Sequence, residues 1–142
     1  MIRAAIIGGL LATLAAPVLA EDVYGCRSVV GESDFDLDFA TDDIDDNKVV
    51  TRVVMQIVGD MGYSTQTTEP TALVTVTDPT IGGDTVHYTL HLNDGTYDVD
   101  VAEVYLATLW HGVYPMTGGV VSMEGGGVWT MNCTVTYESP PW

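Results

Sequence analysis

The run Val128-Trp129-Thr130-Met131-Asn132-Cys133-Thr134-Val135-Thr136-Tyr137 decides the fold class, because apolar and polar side chains alternate along it from Trp129 onward. Trp129, Met131, Cys133, Val135 and Tyr137 share one face, and Thr130, Asn132, Thr134 and Thr136 share the other. A period of two in β-branched and aromatic residues marks a strand with one buried face. Cys133 therefore points into a core.

The same period recurs upstream. Ala72, Val74 and Val76 alternate with Thr75 and Thr77, and Val86, Tyr88, Leu90 and Leu92 alternate with His87, Thr89 and His91. Asn93-Asp94-Gly95 follows, a hairpin signal because these residues tolerate the positive φ of tight turns. The next strand is expected to start at Tyr97, with Val99 and Val101 inside and Asp98 and Asp100 outside. Phe35, Leu37 and Phe39 alternate with Asp34, Asp36 and Asp38. Lys48 to Gly59 is more continuously apolar and reads as a strand covered on both faces; Asp60-Met61-Gly62 turns it and Tyr63 to Thr68 returns. Val120 to Glu124, Gly125-Gly126-Gly127 and the final run form a last hairpin. Val104 to His111 fits either a strand or two helical turns. About eight short strands in one domain indicate a barrel or a β-sandwich.

The cysteines choose between them. Cys26 and Cys133, 107 residues apart, are the only two, so a bridge has a single connectivity. Bridged Cα atoms lie roughly 4.4–6.8 Å apart, which brings the first and last strands together. A meander of hairpins whose ends meet is a closed up-and-down antiparallel barrel of the lipocalin-like kind, with the β-sandwich as the alternative fold.

Residues 1–20 read as a signal peptide. Arg3 is the only early charge, Ala4 to Ala16 are almost wholly apolar, and Pro17-Val18-Leu19-Ala20 offers small residues where a signal peptidase cuts. A spanning helix needs about 20 apolar residues, more than this run supplies. Cleavage after Ala20, a periplasmic or secreted location and no membrane span in the remaining chain are the expectations. Residues 21–142 then make a single domain, with Pro140-Pro141-Trp142 as a loose tail.

The chain holds four basic and 20 acidic residues, a formal net charge of −16, and one of the four basic residues is Arg3. Such a field repels nucleic acid and anionic lipid and favours cationic partners or metal ions, besides promoting solubility. With 46% hydrophobic residues, the chain can bury enough apolar surface to escape disorder.

Glu32 to Asp46 concentrates acids, and within it Asp42, Asp43, Asp45 and Asp46 flank a short turn that could supply oxygens to calcium. That turn lacks the glycine and the trailing glutamate of an EF-hand loop, and a solvated acidic face is the competing reading. His87 and His91 would share a metal on a helix, but on a strand they stand about 13 Å apart. No Gly-x-Ser-x-Gly elbow occurs, which leans against an enzyme, and no cofactor is called for. Asn132-Cys133-Thr134 matches a glycosylation acceptor only formally, since it lies inside a strand. Trp129, Tyr137, Tyr88 and Tyr97 read as core. Trp110, Tyr105, Tyr114 and His111 are the candidate binding residues, because they fall where the alternation breaks down.

Tyr24-Gly25-Cys26 resembles the Tyr-x-Cys near the mature start of periplasmic lysozyme inhibitors, and the architecture is similar to small exported lipocalin-like barrels. The likeness covers those three residues; the tryptophan- and lysine-containing motif of such inhibitors is not found. The expected function is a non-catalytic binding module, inhibitor-like toward a cationic protein. A carrier of a small apolar ligand and a calcium-binding domain are the alternatives, with a small hydrolase last.

Overall fold

The computed structural model describes residues 21–29, 35–57, 62–66 and 71–137. The leader, Glu32, Asp34, the turn at 60–61 and the C-terminal tail lie outside these. The regular elements among the described residues are all strands: β1 (Asp22–Ser28), β2 (Phe35–Ile44), β3 (Asn47–Ile57), β4 (Gly62–Ser64), β5 (Thr71–Leu73), β6 (Thr75–Gly82), β7 (Thr85–Asn93), β8 (Asp98–His111), β9 (Tyr114–Met123) and β10 (Val128–Tyr137). They form a ten-stranded sheet in the order β5-β4-β3-β2-β1-β10-β9-β8-β7-β6.

The two ends of that order are one stretch of chain, since only Val74 separates β5 from β6. Its first part pairs with β4 and its second with β7, so the sheet curls into a nearly closed, barrel-like wall. β3 and β6 approach one another along the seam that short β4 leaves open. β1 pairs along its whole length with Met131 to Tyr137 of β10, with Cys26 opposite Cys133 and the Cα atoms 4.0 Å apart. The disulfide joins the first and last strands, as the cysteine spacing implied.

The strand count is ten rather than about eight. One reason is that the Thr71–Gly82 passage changes partner midway; another is that Asp22–Ser28 is itself a full strand. Val104–His111, ambiguous in sequence, continues β8. Two other expectations are corrected. β3 is not covered on both faces: its burial alternates and Val54 faces solvent, because nothing packs outside the wall there. Tyr97 is exposed rather than core; the Asp94 carboxylate accepts the backbone N–H groups of Thr96 and Tyr97, holding both in the turn before the ladder begins. Those two bonds also keep the Asp94 pKa below its ordinary value. Tyr137, at the frayed end of β10, is likewise exposed.

The inward faces fill the interior. Phe35, Leu37, Phe39, Val53, Met55, Tyr88, Leu90, Val104, Leu106 and Val121 are all essentially inaccessible. Tyr24 stacks on Phe39 at 4.3 Å between ring centroids, and Phe39 meets Tyr88 edge-on at 5.3 Å. Since β2 and β7 stand on different sides of the wall, side chains from both sides touch across the middle. At that level the interior holds side chains where a carrier would need a chamber.

Two stability outcomes follow. Replacing Cys133 with serine should lower unfolding free energy by up to about 4–5 kcal/mol, the loop-entropy figure for so long a closed loop, read from urea denaturation. The Tyr88 hydroxyl is buried and has no hydrogen-bond partner among the described residues. Tyr88→Phe should therefore be neutral or stabilising by up to about 1–3 kcal/mol, because it removes an uncompensated polar group; a clear loss of stability in the same assay would contradict this.

Candidate functional site

The start of β1, the end of β10 and the β2–β3, β6–β7 and β8–β9 turns gather at one rim of the barrel, as the strand order requires. The β8–β9 hairpin projects from that rim. β7 pairs with β8 only as far as Ala107, and β10 pairs with β9 only as far as Thr117. Beyond those points β8 and β9 hold only each other, through Leu109↔Met116, Trp110↔Pro115 and His111↔Tyr114. At the ribbon's root the Thr108 and Thr117 hydroxyls are hydrogen-bonded at 2.8 Å.

Glycines set this geometry. A Cβ on Gly119 would collide with the Tyr105 carbonyl oxygen and lie 2.8 Å from the Leu106 Cα, and one on Gly118 would lie 2.8 Å from the Met131 carbonyl oxygen. Only residues without a side chain let β9 run so close between β8 and β10. Gly112, at φ 63°, makes the turn at the tip.

The projecting ribbon is apolar on both faces. Exposure runs from 54% at Trp110 to 79% at Val113, with Leu109, Tyr114 and Met116 between them. Strand alternation puts Leu109, Met116, His111 and Tyr114 on the outer face, in line with Tyr105 and Val120 lower on the wall. Trp110 and Pro115 take the opposite face. Trp110 leans over the rim, where its indole N–H donates to the Asp84 carboxylate at 3.1 Å. Beneath it lies a cavity of about 100 Å³ lined by Tyr24, Lys48, Asp84, Trp110 and Tyr137 among others. Of the four expected binding residues, the structure thus brings Trp110, His111 and Tyr114 to the ribbon and leaves Tyr105 on the barrel wall, its ring 5.7 Å from that of His87. Leu109, Val113 and Met116 were missed. Their signal was available: no Asp, Glu, Lys or Arg occurs from Val104 to Met123.

Charge surrounds this neutral element. Arg27 contacts Asp36 and Asp38 at 3.1 Å each, Lys48 contacts Asp22 at 2.9 Å, and Arg52 contacts Glu21 at 3.3 Å. The hydrogen bond to Asp22 raises the Lys48 pKa. Every basic side chain among the described residues is therefore already taken by a carboxylate of the same chain. Asp43, Asp45, Asp46 and Asp84 stand at the hairpin rim with no such cation. A second acidic surface is an open groove of about 530 Å³ on the outer wall, lined by Asp78, His87, Asp100, Glu103 and Glu124 among others.

The candidate calcium residues do not converge. Asp45 and Asp46 are the two turn residues between β2 and β3, both at positive φ, and Asp43 is exposed whereas Asp42 is buried. Among the described residues no three His, Cys, Asp or Glu side chains are grouped to hold a metal ion. His87 and His91 lie on one exposed face as expected, each against carboxylates: His87 on Glu103 at 2.7 Å, His91 on Asp98 and Asp100. The hydrolase reading asked for a cleft with such a pair, and His87 with Glu103 supplies one at the open groove of the outer wall.

No protein-family model matches the chain, and no curated protein or solved structure is significantly similar to it. The site has to be read from its own geometry.

Gly119→Ala should destabilise the barrel by about 1–3 kcal/mol, the usual penalty for forcing a methyl into filled space. Thermal unfolding monitored by tryptophan fluorescence would register it.

Proposed function

We propose that this protein is an exported, non-catalytic interaction module that docks on a cationic protein, with the β8–β9 hairpin as its contact element. The observation that carries the reading is the separation of charge from apolar surface. The basic side chains of the described chain are consumed internally, the rim around the hairpin is carboxylate, and the hairpin itself is uncharged and exposed. Opposite charge at the rim steers encounter and fixes orientation. Exposed Trp, Tyr, Leu and Met on a projecting ribbon supply the apolar anchors that dominate interface energies. The leader-like first twenty residues and the disulfide support the periplasm or the extracellular space as the place where this happens.

The ribbon favours docking through side chains over the addition of another strand. Pro115 faces Trp110 in the ladder and has no N–H to offer on the outer edge of β9, which blunts edge-to-edge pairing. Self-association through the hairpin would bring two strongly acidic rims together. Insertion into a bilayer would press the same carboxylates against lipid phosphates.

The test is binding of the immobilised protein to a panel of purified basic exported proteins, at low and at physiological salt. A specific partner whose affinity falls with salt is expected. The double variant Leu109→Ser/Tyr114→Ser should weaken its binding by at least about 30-fold, as loss of a hot spot of 2 kcal/mol or more implies. Salt-independent binding, or full affinity in the hairpin variant, counts against the proposal, as does a panel with no partner.

A further inference from the structure

His87 and His91 occupy the same face of β7 and differ in one respect. His87 makes one hydrogen bond through its ring nitrogens, from Nε2 to the Glu103 carboxylate at 2.7 Å. His91 is held on both sides: Nδ1 lies 2.8 Å from Asp100 Oδ1 and Nε2 lies 2.6 Å from Asp98 Oδ1. A neutral imidazole has one N–H and one lone pair, whereas an ionised carboxylate only accepts. One tautomer of neutral histidine satisfies the His87 contact. No neutral tautomer satisfies both contacts of His91, because one ring nitrogen would turn its lone pair on an oxygen lone pair. The arrangement closes only when both ring nitrogens carry hydrogen.

The local fold is built for this. The β7–β8 register shifts between Leu90 and His91, so that Leu90 faces Ala102 and His91 faces Asp100, with Val101 as the extra residue. The bulge puts Asp98 and Asp100, two residues apart on the outer face, astride the ring. Among the described residues no other cation shares the space. The β6 residue opposite His91 is Thr75, whose hydroxyl bonds the His91 carbonyl oxygen. The charged groups on this wall are Asp78 of β6, Glu103 of β8 and Glu124 after β9, with His87 four residues back along β7. The turn beyond adds Asp94. All but the histidines are acidic, so nothing nearby opposes a charged imidazole.

We propose that His91 and its two aspartates form a pH-responsive clasp across the β7–β8 hairpin, closed by the imidazolium and released when the ring loses a proton. The two carboxylates lift the His91 pKa above the ordinary 6.5. For a group raised in the folded state, the stabilising contribution is complete below the unfolded value and disappears as pH climbs through the folded one. The clasp is therefore fully shut below the ordinary value of 6.5 and opens as pH climbs through the raised folded value. Release leaves Asp98 and Asp100 uncompensated beside each other at the mouth of the Asp94–Tyr97 turn, and the hairpin loosens there first. This holds independently of what the protein binds.

Nitrogen-15 and proton NMR of the whole domain tests it. Both ring nitrogens of His91 are expected to be protonated at pH 6.5, and its titration midpoint to lie above that value. Amide exchange at residues 94–97, corrected for the intrinsic pH dependence, should lose several-fold protection across that midpoint. In His91→Gln, and separately in Asp98→Asn/Asp100→Asn, this loss across the midpoint should vanish while exchange in β1 and β10 is unchanged. A His91 midpoint at or below 6.5, a singly protonated ring at pH 6.5, or a turn whose exchange ignores the titration in the parent protein would overturn the clasp.

Discussion

Every other feature of this molecule depends on the pairing of β1 with β10, fastened where Cys26 faces Cys133. It turns a meander with two loose ends into a ring, because the first and last strands become neighbours in the wall. Counting Thr71–Gly82 as one passage, the ring has an odd number of passages, so up and down cannot alternate all the way round. One neighbouring pair must run parallel. That pair is β4 with β5, and both strands are only three residues long. The closure is therefore strong on the disulfide side and weak on the far side, where β3 and β6 approach without a continuous ladder. A long-range crosslink suits such a wall, because it stabilises mainly by restricting the unfolded chain and does not require the seam to be perfect.

The ring also explains how one hairpin comes to stand free. β8 is the longest strand among the described residues, from Asp98 to His111, and β7 stops pairing with it at Ala107 while β9 follows it to the tip. Gly118 and Gly119 allow β9 to follow it closely between β8 and β10, so the pair leaves the barrel as a stiff two-stranded ribbon. An apolar ribbon in solvent is costly unless it has a use. Here it emerges from a rim whose carboxylates outnumber the bases, and the few bases are tied to partners within the chain. Individually those surface ion pairs contribute little stability. Their larger effect is on the field: they remove the positive charges a partner could otherwise sense.

The outer wall repeats the logic at a finer scale. A strand bulge at Val101 costs one ladder position and in return sets two aspartates about a single ring. His87, four residues away, lacks the bulge and has a single carboxylate. Two histidines of the same strand, face and exposure are thereby given different chemistry by backbone register alone.

Much of this was legible in the residues. The period-two runs at Phe35–Phe39, Thr85–Asn93 and Val128–Tyr137 specify strands because side chains on a pleated chain must alternate, and no tertiary contact can alter that parity. Two cysteines determine one bridge by arithmetic. The positions of Asn93-Asp94-Gly95 and of the acid-rich turn were readable because backbone conformation there is local. What tertiary structure alone decided were matters of register and reach. Tyr97 looked like core until a side-chain cap drew it into a turn; Thr71–Gly82 looked like one strand until two different neighbours divided it. Leu109, Val113 and Met116 carry the same apolar signature as buried residues, and only the end of β7 at Thr85 and the parting of β9 from β10 at Thr117 leave them in solvent. A sequence states which face a residue takes along its own strand, whereas whether anything lies against that face depends on where the neighbouring strands stop.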